Sequence, residues 1–99
     1  MITFYRSADI APGKVPNALA FAHEIARHIE KTTGQVLHVG VPIGGNPNRV
    51  GWSTSYESLA ALETQQTKML ADKKYWEMVA KGADNFIAGS IRDEMWRSV

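Results

Sequence analysis

Apolar positions along this chain switch between a period of two and a period of about 3.6, and the switches mark out its elements. Ile2 and Phe4 oppose Thr3, Tyr5 and Ser7, which predicts a first strand from Ile2 to Ala8. Asp9 to Gly13, with Pro12 and Gly13 as breakers, forms a turn. From Val15 the spacing becomes helical through Ala18, Leu19, Ala22, Ile25, Ala26 and Ile29, so a helix runs to Thr33 and Gly34 ends it. Gln35 to Ile43 then sets Leu37, Val39, Val41 and Ile43 against Val36, His38, Gly40 and Pro42, the clearest strand pattern in the chain.

The turn-forming run Gly44-Gly45-Asn46-Pro47-Asn48 separates that strand from an extended Arg49 to Ser53 built around Val50 and Trp52, which predicts a hairpin. Thr54-Ser55-Tyr56-Glu57 fits the capping box, so a second helix is expected to start there. Leu59, Leu62, Met69 and Leu70 form its apolar stripe, and Asp72-Lys73-Lys74 breaks it before a shorter helix that runs through Lys81 and stops at Gly82. After an irregular Ala83 to Gly89, Ile91 to Val99 alternates as a charged last strand. The order β-α-β-β-α-β with an extra short helix is the split βαβ plan of a ferredoxin-like α+β domain with a four-stranded antiparallel sheet. A length of 99 residues makes residues 1–99 one domain with a thin core.

In this plan the helices pack on one sheet face and leave the other bare. Four strands at about 4.8 Å spacing and about 17–20 Å length give an open face of roughly 350 Å². With Leu37, Val39 and Val41 toward the helices, Val36 and His38 fall on the open face, and Tyr5, Trp52 and Trp96 are expected to join them. Such a surface suits a dimer interface or a cavity between two sheets, and either requires a partner.

Several short motifs point the same way. The opening strand runs into Pro12-Gly13-Lys14-Val15, Gly51-Trp52 leads into Ser55-Tyr56-Glu57, and Tyr75-Trp76 follows in the short helix. On these motifs the chain resembles the dimeric α+β barrel superfamily, and within it NIPSNAP-type proteins and small antibiotic-biosynthesis-monooxygenase-like proteins. The resemblance spans nearly the whole chain. It implies a homodimer whose two sheets close a barrel, with a pocket beneath the helices or between sheet and helices. That superfamily holds monooxygenases, haem-degrading enzymes, dehydratases, isomerases and proteins of no assigned activity, so the fold leaves function open.

Charge and composition narrow the classes. With 11 basic and 10 acidic residues the chain lacks the surplus that would neutralise phosphates, so no nucleic-acid partner is expected. It has no cysteine, which removes disulfides, thiolate catalysis and zinc-thiolate sites. No apolar run is long enough to span a membrane, and Met1 to Arg6 lacks the pattern of a signal peptide, so a cytoplasmic protein is expected.

Candidate chemistry is sparse. His23 and His28 stand five residues apart, which separates them by roughly 140° on a straight helix, too far to share one ion, and no metal is expected. The glycine-rich stretch Gly40 to Gly51 lacks a phosphate loop's Gly-Lys-Ser/Thr ending and serves the hairpin. His38, mid-strand among apolar neighbours, is the candidate proton-transfer residue. Arg6, Arg92, Asp93 and Glu94 are brought near it only in so far as the first and last strands allow. Tyr5, Trp52 and Trp96 are the candidate binding residues for a small aromatic or hydrophobic compound. One reading is a cofactor-free monooxygenase-like enzyme acting on such a compound, and the other is a non-catalytic binding or assembly module. A haem-degrading member is disfavoured, because none of the three histidines sits in a ligand context.

Overall fold

The computed structural model describes residues 1–99 and has the expected ferredoxin-like plan. Strands β1 (Ile2–Asp9), β2 (His38–Gly40), β3 (Arg49–Tyr56) and β4 (Arg92–Arg97) form one sheet in the order β2-β3-β1-β4, antiparallel throughout. Helices α1 (Val15–Thr33), α2 (Leu59–Leu70) and α3 (Lys73–Gly82) connect them, and a single 3-10 turn, Ala83–Asn85, follows α3. No helix is long and apolar enough to cross a membrane.

The first helix ends as its sequence requires. Gly34 takes the left-handed conformation at φ 79°, and its N–H donates to the Glu30 carbonyl at 2.8 Å. The next two elements depart from expectation. Alternation of Gln35 to Ile43 predicts a nine-residue strand, yet only His38–Gly40 joins the ladder. Side chains replace the ladder before it: the Thr54 hydroxyl donates to the Val36 carbonyl at 2.8 Å, and the Gln35 amide donates to the Ser55 carbonyl at 2.9 Å. Beyond Gly40, Pro42 has no N–H to give, Gly45 turns the chain at φ 80°, and Val41 and Ile43 are left exposed.

Thr54-Ser55-Tyr56 does not start a helix. It completes β3, pairing with Phe4, Thr3 and Ile2 of β1, because Thr54 and Tyr56 are worth more buried on the sheet than the first would be as a cap. The cap of α2 is Ser58, whose hydroxyl accepts from the Ala61 N–H at 3.1 Å. Ser58→Ala is therefore expected to cost about 1 kcal/mol of unfolding free energy in urea titration. Thr54→Ala should instead loosen the Gln35–Val36 approach to β3.

Asp72 separates α2 from α3 by capping the latter, its carboxylate accepting from the N–H groups of Lys74 and Tyr75 at 3.0 and 3.3 Å. Its other oxygen receives His28 Nε2 of α1 at 2.7 Å. This hydrogen bond, above all, holds the Asp72 carboxyl below its ordinary range. A lowered folded value means that the stabilisation is present above the unfolded aspartate pKa of about 4 and is lost as pH falls through the folded value. Thermal melts of Asp72→Asn should accordingly lose less between pH 6 and pH 3 than those of the native chain.

The core is thin, as the length implies: 16 of 99 residues are buried. It is also divided. Ile10, Ala18, Ala22 and Val50 form one cluster, Ile2, Tyr56 and Leu62 a second, and Ile25, Ile29 and Tyr75 a third. Phe4, Phe21, Trp52 and Met69 border these clusters only half-buried, and the space that they surround is a cavity.

Candidate functional site: a cavity between sheet and helices

Strand register decides which side chains share a face. Trp52 pairs with Arg6, Ser53 with Tyr5 and Thr54 with Phe4, while β4 brings Asp93 opposite Arg6 and Trp96 opposite Thr3. Trp52 therefore sides with Phe4, Arg6 and Ala8, under the helices. Its indole N–H donates to the Ala22 carbonyl of α1 at 3.1 Å, which fixes the ring against that helix. The expected grouping of Trp52 with Tyr5, Trp96 and His38 on the open face is thus corrected: parity in β3 puts it on the other side of the sheet.

Around Trp52 lies a partly enclosed cavity of about 560 Å³, within the size range of small-molecule pockets. Phe4 and Trp52 floor it, Phe21 and Ile25 of α1 and Met69 of α2 roof it, and Phe86 closes one end. Phe86 stands 5.7 Å from Phe21 edge-on and 6.3 Å from Trp52, so three aromatic rings meet there. The segment that carries Phe86 is fastened to the end of β1: the Ala11 N–H donates to the Asn85 carbonyl, the Ile87 N–H to the Asp9 carbonyl, and the Asp9 N–H to the Ser90 hydroxyl. A stretch without periodicity in the sequence is therefore part of the wall.

Polar groups enter the wall at few places. The Tyr56 hydroxyl donates to Gln65 Oε1 at 2.9 Å, and burial raises the Tyr56 pKa. Arg6 projects from β1 over the Phe4 ring, 5.7 Å from its centroid, and donates through Nε and Nη2 to both oxygens of Asp93 at 2.7 and 2.8 Å. Asp93, ahead of the opposing effect of burial, raises the Arg6 pKa and keeps the guanidinium charged. Arg6 and Asp93 are the pair, among those named from the first and last strands, that the fold joins.

The bare face is a second, more open concavity of about 760 Å³, shared by Tyr5, His38, Ser53, Glu94 and Trp96 and bordered also by Trp52, whose indole is held at α1. Tyr5 is 46% and Trp96 62% exposed, and His38 is exposed on the three-residue edge strand without a side-chain hydrogen bond. His38 and the cavity thus lie on opposite sides of the sheet. Phe21 and Phe86 are cavity residues that the sequence did not single out for a site. Phe21 had a signal, since it falls four residues before Ile25 and eight before Ile29 on one helix face.

The fold is shared with solved structures. A NIPSNAP domain protein from Burkholderia xenovorans superposes with a TM-score of 0.85 at 17% identity, covering 100% of this chain and 95% of its own. A NIPSNAP family protein from Agrobacterium tumefaciens gives 0.82 at 18%, covering 99% of this chain and 85% of its own. An antibiotic-biosynthesis-monooxygenase-like protein from Deinococcus radiodurans gives 0.72 at 13%, covering 100% and 93%. At these identities the likeness is one of fold. No protein-family model and no curated protein matches the sequence.

Proposed function

From a fold shared with NIPSNAP domain proteins, we propose that this chain binds a small, flat, largely apolar compound in the cavity between sheet and helices, and does so as a homodimer. The observation that carries the reading is the cavity itself: about 560 Å³, floored by Trp52 and walled by Phe21 and Phe86, where a packed core would otherwise run. Its aromatic walls offer stacking surfaces to a compound of one or two rings. The name of the Deinococcus neighbour, an antibiotic biosynthesis monooxygenase, supports an enzymatic form of the reading, oxygenation of the bound compound. The placement of His38 on the far side of the sheet supports a plain binding module, because no histidine then lines the cavity.

Self-association is supported by β4. All six of its residues are exposed, so neither of its faces is covered within one chain. The open sheet face offers roughly 350 Å², short of the ~800 Å² per partner of a typical stable interface. Exposed Val41, Ile43, Met95 and Trp96 are apolar surface that a second copy would add to it. In this reading Tyr5, Trp96 and His38 serve the interface and Trp52 serves the ligand.

Displacement of an environment-sensitive dye, followed by the fluorescence of the dye, tests the binding reading. Two-ring aromatic compounds should compete for a single site per chain, and failure of every such compound to compete would overturn it. Oxygen consumption with a bound phenolic compound separates the enzymatic form from the binding module. Light scattering during size exclusion should give twice the 10.9 kDa chain mass, and a monomer at micromolar concentration would refute the dimer.

A further inference from the structure

The cavity reading above leaves the chemistry of its occupant open, and two donors on one stretch of wall narrow it. Arg6 lines the cavity, whereas Asp93, which holds it, does not. A guanidinium has five N–H donors, and Asp93 takes one on Nε and one on Nη2. Nη1 and the second Nη2 hydrogen are not taken by Asp93. Tyr75 lines the same cavity and is buried, and its hydroxyl oxygen faces the Arg6 guanidinium as an acceptor, which leaves its own O–H hydrogen to donate. It also stands close enough to the guanidinium to help hold its charge.

The Arg6–Asp93 pair carries no net charge, and Asp84, elsewhere on the cavity lining, adds a negative one. The Asp93 carboxylate meets the guanidinium through two short, parallel hydrogen bonds and cancels it at close range. A second carboxylate entering the cavity would leave water and meet a neutralised arginine with an anion just behind it. A neutral oxygen incurs neither cost and still finds donors that Asp93 does not take.

Resting on the binding reading, we propose that the cavity selects an aromatic compound bearing an uncharged oxygen, a phenol or an aryl ketone, with that oxygen held by Arg6 and Tyr75. Asp93 sets the selectivity by neutralising Arg6 and is a positioning residue, outside the contact itself.

Titration of the native chain with 1-naphthol, naphthalene and 1-naphthoate at pH 7 tests this, because the three share a ring system and differ in the polar group. The native chain should bind naphthol at least tenfold more tightly than naphthoate and severalfold more tightly than naphthalene. Tyr75→Phe, which removes only the hydroxyl, should weaken naphthol severalfold and leave naphthalene unchanged. Asp93→Asn should narrow or invert the preference of naphthol over naphthoate, a change that a merely structural role would not produce. Equal or tighter binding of naphthoate by the native chain overturns the proposal while leaving the cavity reading in place. So does a Tyr75→Phe variant with native affinity for naphthol. If none of the three compounds binds, the cavity reading and this proposal fall together.

Discussion

Replacing Trp52 by alanine should abolish ligand binding and lower the stability of the fold by about 3 kcal/mol, the lower end of the range for large aromatic side chains in cores. The lower end applies because the indole is half-buried and already borders open space. The loss has two parts: contacts to the clusters around Ala22 and Ile25, and the hydrogen bond to the Ala22 carbonyl at 3.1 Å. Trp96→Ala should behave in the opposite way. Its ring is 62% exposed, so removal should leave the urea midpoint of the isolated chain nearly unchanged and weaken self-association instead. Dye competition, urea titration and light scattering on both variants would read the contrast. If Trp96→Ala lost the ligand and Trp52→Ala kept it, the assignment of the two faces to two tasks would be wrong.

Gly82→Ala should destabilise the protein although alanine is the better helix former by about 1 kcal/mol. Gly82 is buried at the end of α3 with ordinary right-handed geometry, φ −88° and ψ −4°, so a left-handed cap is not the reason for it. A Cβ placed there would lie 2.4 Å from two carbons of the Phe21 ring. To relieve that overlap the ring has to swing into the cavity it lines, giving up its edge contact with Phe86 at 5.7 Å. Overpacking of this kind costs roughly 1–3 kcal/mol, enough to outweigh the gain in helix propensity. In a Phe21→Ala background the overlap is gone, and the same glycine replacement should become stabilising by about 1 kcal/mol. A double-mutant cycle without this change of sign would show that α1 and α3 do not meet through Phe21 and Gly82. In the native background Gly82→Ala should also weaken the ligand, since the displaced ring occupies its space.

These two glycine and tryptophan cases show where pattern reading stops. Gly34 and Gly82 are the same signal in a sequence, a glycine after a helical run. One ends its helix by turning left-handed, and the other is buried inside a helix crossing where no side chain fits. The rule about glycine after a helix refers to backbone conformation, and only packing reveals the second cause. Thr54 is similar. Its spacing to Glu57 satisfies a capping box, but a β-branched residue opposite Phe4 on a half-covered sheet face is more stable as strand, so the cap passed to Ser58.

What the sequence determined by itself is the element order, the extent of α1, the break at Asp72 and hence the ferredoxin-like plan, because periodicity and local capping act through neighbours a few residues apart. It also held the opposition of Val36 and His38 to Leu37 and Val39, which the alternating exposure of these residues keeps. Tertiary structure alone decided the parity of β3 against β1, and with it the side on which Trp52 stands, because register depends on which residues of distant segments pair. It decided as well that Arg6 meets Asp93 and that Phe21, Trp52 and Phe86 surround an unfilled space. A cavity is a property of how three clusters fail to merge, and no local pattern encodes that failure.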